Sequence, residues 1–339
     1  MALKIYHDED ADETLLKGKT VAVIGYGIQG RAQALCLKDS GVKVVAGISK
    51  EYAFRKGPEN TWTQAEKDGV QPMEIADAAK AADIIMMLLP DMVQKKVYED
   101  FIKPNLTSGK TLYFSHGFNI TFKRIKPPKN IDVIMLAPKG PGAKVRETYL
   151  AGFGVPALLA IHQNATGKAK ETALALAKAM HFTRAGVFEC TFDQETISDL
   201  FGEQTVLCGG CVELIKAGFD TLVEDGFPPE VAYFECLHEL KLITDLIQQG
   251  GLEYMWERVS ETARYGGRTR GKRVIDARVR KTMKKILKEI KSGKFAKEWI
   301  AEYEAGMPKF KQMKEEESKL LIEQVGAEIR KMFRIGEQK

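Results

Sequence analysis

Two pairs of carboxylates offer the most specific chemistry in the sequence. Asp199-Leu200-Phe201-Gly202-Glu203 and Glu235-Cys236-Leu237-His238-Glu239 each set two acids four residues apart, which on a helix places them on one face about one turn apart. Leu200, Phe201, Phe234, Cys236, Leu237 and Leu240 surround them. Four acids on such apolar helices repel one another and resist desolvation unless a cation neutralises them. Hard oxygen donors with no cysteine among them favour Mg²⁺ or Mn²⁺. Two rivals stand beside that reading. Glu235-x-x-His238 is half of a di-iron helix-bundle motif, but no second Glu-x-x-His occurs in the chain. Acids facing water on amphipathic helices give the same spacing. The metal reading predicts that the four acids converge; the solvent reading predicts that they do not.

A second cluster concerns an anion. Gly25-Tyr26-Gly27-Ile28-Gln29-Gly30 follows the apolar run 20–24 and opens a helical pattern. Gly25 permits a tight turn, Gly27 lets backbone approach a pyrophosphate, and Gly30 lets helix pack on sheet, while the helix N-terminus offers unpaired N–H groups. Pro90-Asp91-Met92-Val93-Gln94, Ser115-His116-Gly117-Phe118-Asn119 and Pro138-Lys139-Gly140-Pro141-Gly142 follow later apolar runs and should line the same crevice. His116 and Lys139 are its candidate reactive groups.

These groups need a scaffold. Residues 20–24, 42–47, 83–89, 111–114 and 132–136 are short, nearly continuous apolar runs bounded by Gly, Pro or polar turns, as in strands buried on both faces of a parallel sheet. Helical patterns alternate with them, which makes the first half a doubly wound α/β sheet. Past Cys190 the strand signal stops, and 195–222, 229–249, 278–291 and 311–333 carry apolar spacings of three and four. We therefore expect two domains, 1–190 for the dinucleotide and 191–336 all helical for metal and substrate, since 339 residues exceed what one core usually serves.

With 44% hydrophobic and 29% charged residues the chain is not of disordered composition. No apolar run approaches the ~20 residues that cross a bilayer, and residues 1–10 turn acidic where a secretory leader turns apolar. The expectation is a cytoplasmic protein without a membrane partner. Five scattered cysteines exclude a disulfide-built scaffold. Cys208-Gly209-Gly210-Cys211 has redox or metal spacing, yet it lies inside an apolar helical pattern and reads as small residues permitting close approach.

Taken in order, Gly25-Tyr26-Gly27-x-Gln29-Gly30, Leu89-Pro90-Asp91-x-Val93-Gln94, Phe114-Ser115-His116-Gly117-Phe118-Asn119, Pro138-Lys139-Gly140-Pro141-Gly142, Asp199-Leu200-Phe201-Gly202-Glu203-Gln204 and Tyr233-Phe234-Glu235-Cys236-Leu237-His238-Glu239-Leu240-Lys241 resemble the short-form (class I) ketol-acid reductoisomerases over nearly the whole chain. The resemblance implies an N-terminal Rossmann domain, a knotted helical C-terminal domain, and a homodimer, or a larger assembly of dimers, with active sites shared between subunits. It assigns Asp199, Glu203, Glu235 and Glu239 to two Mg²⁺ ions, His116 and Lys139 to the catalytic centre, and Ser260 to the substrate carboxylate. It assigns Gly25, Tyr26, Gly27, Ile28, Gln29, Asp91, Met92, Val93, Gln94 and Gly142 to the dinucleotide. The implied substrates are 2-acetolactate and 2-aceto-2-hydroxybutanoate, isomerised by alkyl migration and reduced by NAD(P)H to 2,3-dihydroxy acids in branched-chain amino-acid synthesis. Glu239, Glu235 and a hydroxide on the metal remain open as the general base.

One loop departs from the pattern. NADPH-using relatives carry an Arg at the second strand's end and two serines before an aromatic residue; here Ser49, Glu59 and Thr61 stand in those places. A carboxylate accepts from a ribose diol and repels a phosphate dianion, so the expectation leans to NADH over NADPH, against the pull of Lys50, Arg55 and Lys56. The competing functions are a Rossmann dehydrogenase for 2-hydroxy acids without isomerisation, which needs no paired metals, and nucleic-acid binding by the basic run 264–288. That run reads more simply as a solvated helical face, so no nucleic-acid partner is expected.

Overall fold

The computed structural model describes residues 3–51 and 60–333. Among them nine strands form one sheet: β1 (Ile5–Tyr6), β2 (Thr20–Ile24), β3 (Lys43–Gly47), β4 (Gln71–Met73), β5 (Ile84–Met87), β6 (Thr111–Phe114), β7 (Asp132–Pro138), β8 (Ala157–Gln163) and β9 (Val187–Glu189). Their order is β1-β9-β8-β7-β6-β5-β2-β3-β4. All neighbours from β4 across to β7 run parallel. The chain steps from β2 to β3 in one direction and later to β5 in the other, so strand order reverses beside β2. The crevice outside the carboxyl ends of β2 and β5 is where such sheets bind ligands.

The apolar runs form strands because each has a core on either side. Val21, Val23, Ile84, Met86 and Tyr113 enter one core, while Ala22, Ile24, Ile85, Met87 and Phe114 enter the other. That is the two-residue alternation of a pleated strand, with both faces apolar. Four strands escaped the sequence reading: β1, β4, β8 and β9. They add an antiparallel pairing of β8 on β7, a parallel β9 on β8, and an antiparallel β1 at the edge. Pro72 in β4 is accommodated on the opposite edge. No strand follows Glu189 among the described residues.

The chain divides into two compact units, Met1–Ser198 and Asp199–Lys339. The second is helical. The pattern at 195–222 resolves into a helix Phe192–Gly202, a π turn Glu203–Leu207 and a helix Gly209–Glu224. That at 229–249 becomes Pro229–Tyr233, a π turn Phe234–His238 and Glu239–Arg258. Residues 311–333 fall into two helices, Pro308–Glu317 and Leu321–Phe333. A π turn takes one extra residue per turn; the Cys208 N–H accordingly bonds the Glu203 carbonyl at 3.1 Å. This explains the paired glycines. A Cβ on Gly209 would lie 2.3 Å from the Gln204 carbonyl oxygen, and one on Gly210 2.0 Å from that of Thr205. Phe219, Tyr233, Ile322 and Ile329 form the local core of this unit.

Candidate active site

The glycine loop has the geometry an anion needs. Gly25 takes φ 94°, open to glycine at little cost. A Cβ on Gly30 would stand 2.0 Å from the Gly25 carbonyl oxygen, whereas nothing lies within 4 Å of one on Gly27. Helix Ile28–Asp39 begins without a side-chain cap, leaving its first N–H groups to a ligand. A second helix, Gly142–Leu150, starts hard against this loop: a Cβ on Gly142 would be 2.3 Å from the Ile28 carbonyl oxygen. The Tyr26 side chain is buried and its hydroxyl donates to Asp68 at 3.0 Å, so Tyr26 offers a ligand its backbone. Asp68 also receives Arg31 through Nε at 2.7 Å and Nη2 at 2.9 Å, and Gln64 at 3.0 Å. The Arg31 hydrogen bond foremost holds the Asp68 carboxyl below its ordinary pKa, while burial foremost pushes the Tyr26 phenol up.

His116 and Lys139 leave the carboxyl ends of β6 and β7, and one carboxylate gathers them. Glu195, only 1% exposed, bonds His116 Nδ1 at 3.0 Å and the Gly117 N–H at 3.0 Å, with Lys139 Nζ at 3.6 Å. Gly117 is what lets helix Phe192–Gly202 come so near, since a Cβ there would meet Thr196 Oγ1 at 2.2 Å. Sequence reasoning missed Glu195. Its signal was present as an acid at every fourth position, 195, 199 and 203.

In Asp91–Gln94 the side chains of Met92 and Gln94 turn inward. Gln94 donates to the Leu89 carbonyl at 2.8 Å, and the buried Asn119 amide donates to Gln94 Oε1 and the Asp91 carbonyl, both at 3.0 Å. The loop is thereby tied to the His116 loop, with Asp91 and Val93 nearer the surface. In the ribose loop, Ser49 and Thr61 are partly exposed, and the Asn60 side chain caps the helix that Thr61 begins. Glu59 lies outside the described residues. Ser260 caps helix Glu261–Val274, accepting from the Ala263 N–H at 3.1 Å.

The four acids are not gathered within one chain. Asp199 lies in the last turn of helix Phe192–Gly202 and Glu203 opens the first π turn; Glu235 lies in the second π turn and Glu239 opens the helix after it. Glu203, Glu235 and Glu239 are exposed. Among the described residues, no three of the four place carboxylate oxygens within 4.8 Å of one another.

A doubly wound parallel sheet with a glycine loop and polar strand ends defines a dinucleotide-binding oxidoreductase of the Rossmann type. Comparison with known proteins narrows the class. Residues 15–186 match the family model "Acetohydroxy acid isomeroreductase, NADPH-binding domain" and residues 192–335 match "Ketol-acid reductoisomerase, C-terminal domain". The chain is 54% identical over 331 residues to a ketol-acid reductoisomerase (NAD(+)) of the uncultured archaeon GZfos26G2, covering 98% of this chain and 99% of that one. It is 55% identical over 330 residues to a ketol-acid reductoisomerase (NADP(+)) of Methanocaldococcus jannaschii, covering 97% and 98%. A solved NADH-preferring ketol-acid reductoisomerase from an uncultured archaeon superposes with TM-score 0.93 at 54% identity, over 97% of this chain and 99% of that one. The chain belongs to the ketol-acid reductoisomerase family.

Proposed function

We propose that the chain isomerises and reduces 2-acetolactate and 2-aceto-2-hydroxybutanoate to 2,3-dihydroxy acids with a nicotinamide cofactor, at a centre built around His116 and Lys139. The observation that carries this is the buried Glu195 carboxylate, which fixes both side chains at the ends of adjacent strands beside the glycine loop. Glu195 orients the imidazole through Nδ1, as a positioned proton-transfer group requires. The Lys139 ammonium offers charge to a developing oxyanion. Uncapped N–H groups at Ile28–Asp39 receive the pyrophosphate.

Asp199, Glu203, Glu235 and Glu239 are the residues that would hold Mg²⁺, two acids from each π-turned segment. Their donor chemistry fits: all four are carboxylates, hard oxygen ligands of the kind Mg²⁺ takes. Bound Mg²⁺ supplies Lewis-acid polarisation of the substrate's hydroxyl and ketone oxygens. Ser260, on the N-terminus of a 14-residue helix, suits the substrate carboxylate.

On this reading the chain works as a homodimer. The segment after Glu203 exposes Val206 and Leu207, then Val212 and Leu214, an apolar stretch of the kind a partner covers. A second copy would then bring Glu235 and Glu239 to Asp199 and Glu203. For the cofactor, Ser49, Glu59 and Thr61 favour NADH; the structural relative named NADH-preferring agrees, and the Methanocaldococcus relative named for NADP(+) does not. The absence of a membrane-crossing helix among the described residues accords with a cytoplasmic enzyme.

The experiment follows NADH and NADPH oxidation with 2-acetolactate, with and without Mg²⁺. Mg²⁺-dependent turnover is expected. Turnover that survives chelation overturns the metal reading in favour of a simple dehydrogenase, and a tenfold advantage of NADPH in kcat/KM overturns the NADH preference.

A further inference from the structure

Helix Ile28–Asp39 lays its inner face on the sheet, where aliphatic side chains would serve. Gln33 and Tyr113 are wholly buried there instead. An amide and a phenol lose free energy in such a place unless each is paired, and here they are. Gln33 Oε1 accepts from the Tyr113 hydroxyl at 2.8 Å, and Gln33 Nε2 donates to Ser115 Oγ at 3.0 Å and to Gln29 Oε1 at 3.2 Å. Ser115 Oγ stands 3.2 Å from the Tyr113 oxygen, and Gln29 Nε2 donates to the Gly140 carbonyl at 3.0 Å. The connected groups end in three loops. Gln29 belongs to the glycine loop, Ser115 precedes His116, and Gly140 follows Lys139.

We propose that this relay is a positioning device centred on Gln33, setting the glycine loop against His116 and Lys139. The anchored end of the dinucleotide and its reacting end then keep one spacing. The proposal rests on these loops being the cofactor cradle. Gln33 and Tyr113 act through Gln29 and Ser115 rather than by touching substrate. A mere space-filling role makes a different prediction. Lost packing lowers the melting temperature but leaves the folded enzyme's turnover alone, whereas misplacing reacting groups by ~1 Å can cost roughly a hundredfold in rate.

The test compares full-length Gln33→Leu, Tyr113→Phe and the double variant by steady-state kinetics with NADH, 2-acetolactate and Mg²⁺, with melting temperatures alongside. Gln33→Leu should melt earlier, lose about tenfold or more in kcat and show a raised KM for NADH. The double variant removes the phenol as well, which in Gln33→Leu still has the Leu136 carbonyl at 3.0 Å as acceptor, and should not regain kcat whatever its melting temperature; it carries the test alone if the single variant does not fold. Recovery of kcat together with melting temperature, or wild-type turnover by Gln33→Leu, overturns the relay. Calorimetric binding of NADH and NADPH to the wild type separates the two readings. A wild type that binds neither ends the cradle and the relay together; one that binds, with unaffected variants, ends the relay only.

Discussion

The two compact units treat their polar residues in opposite ways. In Met1–Ser198 the functional side chains are packed away and paired: Glu195 on His116 and Gly117, Asn119 on Gln94 and Asp91, Gln33 on Tyr113 and Ser115. In Asp199–Lys339 the candidate ligands Glu203, Glu235 and Glu239 are exposed, and Leu207 and Leu252 are 70% and 65% exposed. The first unit is organised before any ligand arrives, with desolvation offset by hydrogen bonds formed during folding. The second leaves three candidate acids and several large apolar side chains at its surface; on the reading proposed above, a cation and another copy would draw on them.

The comparison can be broken at several points. Leu207→Lys strikes the second unit hardest. On the proposed assembly, light scattering should find the wild type dimeric and this variant monomeric, with Mg²⁺-dependent turnover abolished and NADH still bound; a dimeric, active variant would contradict assembly through this stretch. Next is Glu195→Gln, which keeps size but removes the charge that gathers His116 and Lys139. It should lower kcat by about 10²–10³, with KM for NADH little changed. Asp68→Asn should destabilise by about 1–3 kcal/mol, a fall of a few degrees in Tm. Its sign with pH follows from the lowered carboxyl pKa. Asp68 stabilises the fold fully above its unfolded pKa of ~3.9 and ceases to do so as pH falls through the lower folded value. The gap between wild type and variant should therefore close only at strongly acidic pH. Smallest is Glu59→Ser, expected to raise the NADPH-to-NADH ratio of kcat/KM several-fold by removing about one like-charge contact with a phosphate; an unchanged ratio would take Glu59 out of cofactor choice.

The parallel strands could be read in advance because each is apolar on both faces, and the glycine loop because each glycine answers a steric demand. β8 could not, as polar or half-buried positions fall on both its faces: Leu158 packs against one core, Ile161 against the other, and His162 is exposed. β1 and β9, with two and three residues, fall below any periodicity. The π turns at Glu203 and Phe234 hide within patterns that look continuously helical, because one inserted residue barely disturbs a spacing of three and four. In the sequence Gln33 is one polar residue within a helical pattern, and Glu195 is one acid of a first turn, where the helix dipole favours acids. Both owe their roles to residues far off in the sequence, 80 positions for Gln33 and 79 for Glu195. The glycines between Cys208 and Cys211 are explained by the π turn before them.

Each π turn also acts as an expansion joint. It winds its surplus residue into the wider ring, so the helix beyond keeps its phase; forcing α geometry on all of 203–207 would instead swing everything downstream by about 100°, carrying Phe219 from its local core toward water. Acidic motif and apolar stripe thus keep time along one rod, and the π turn is the escapement between them.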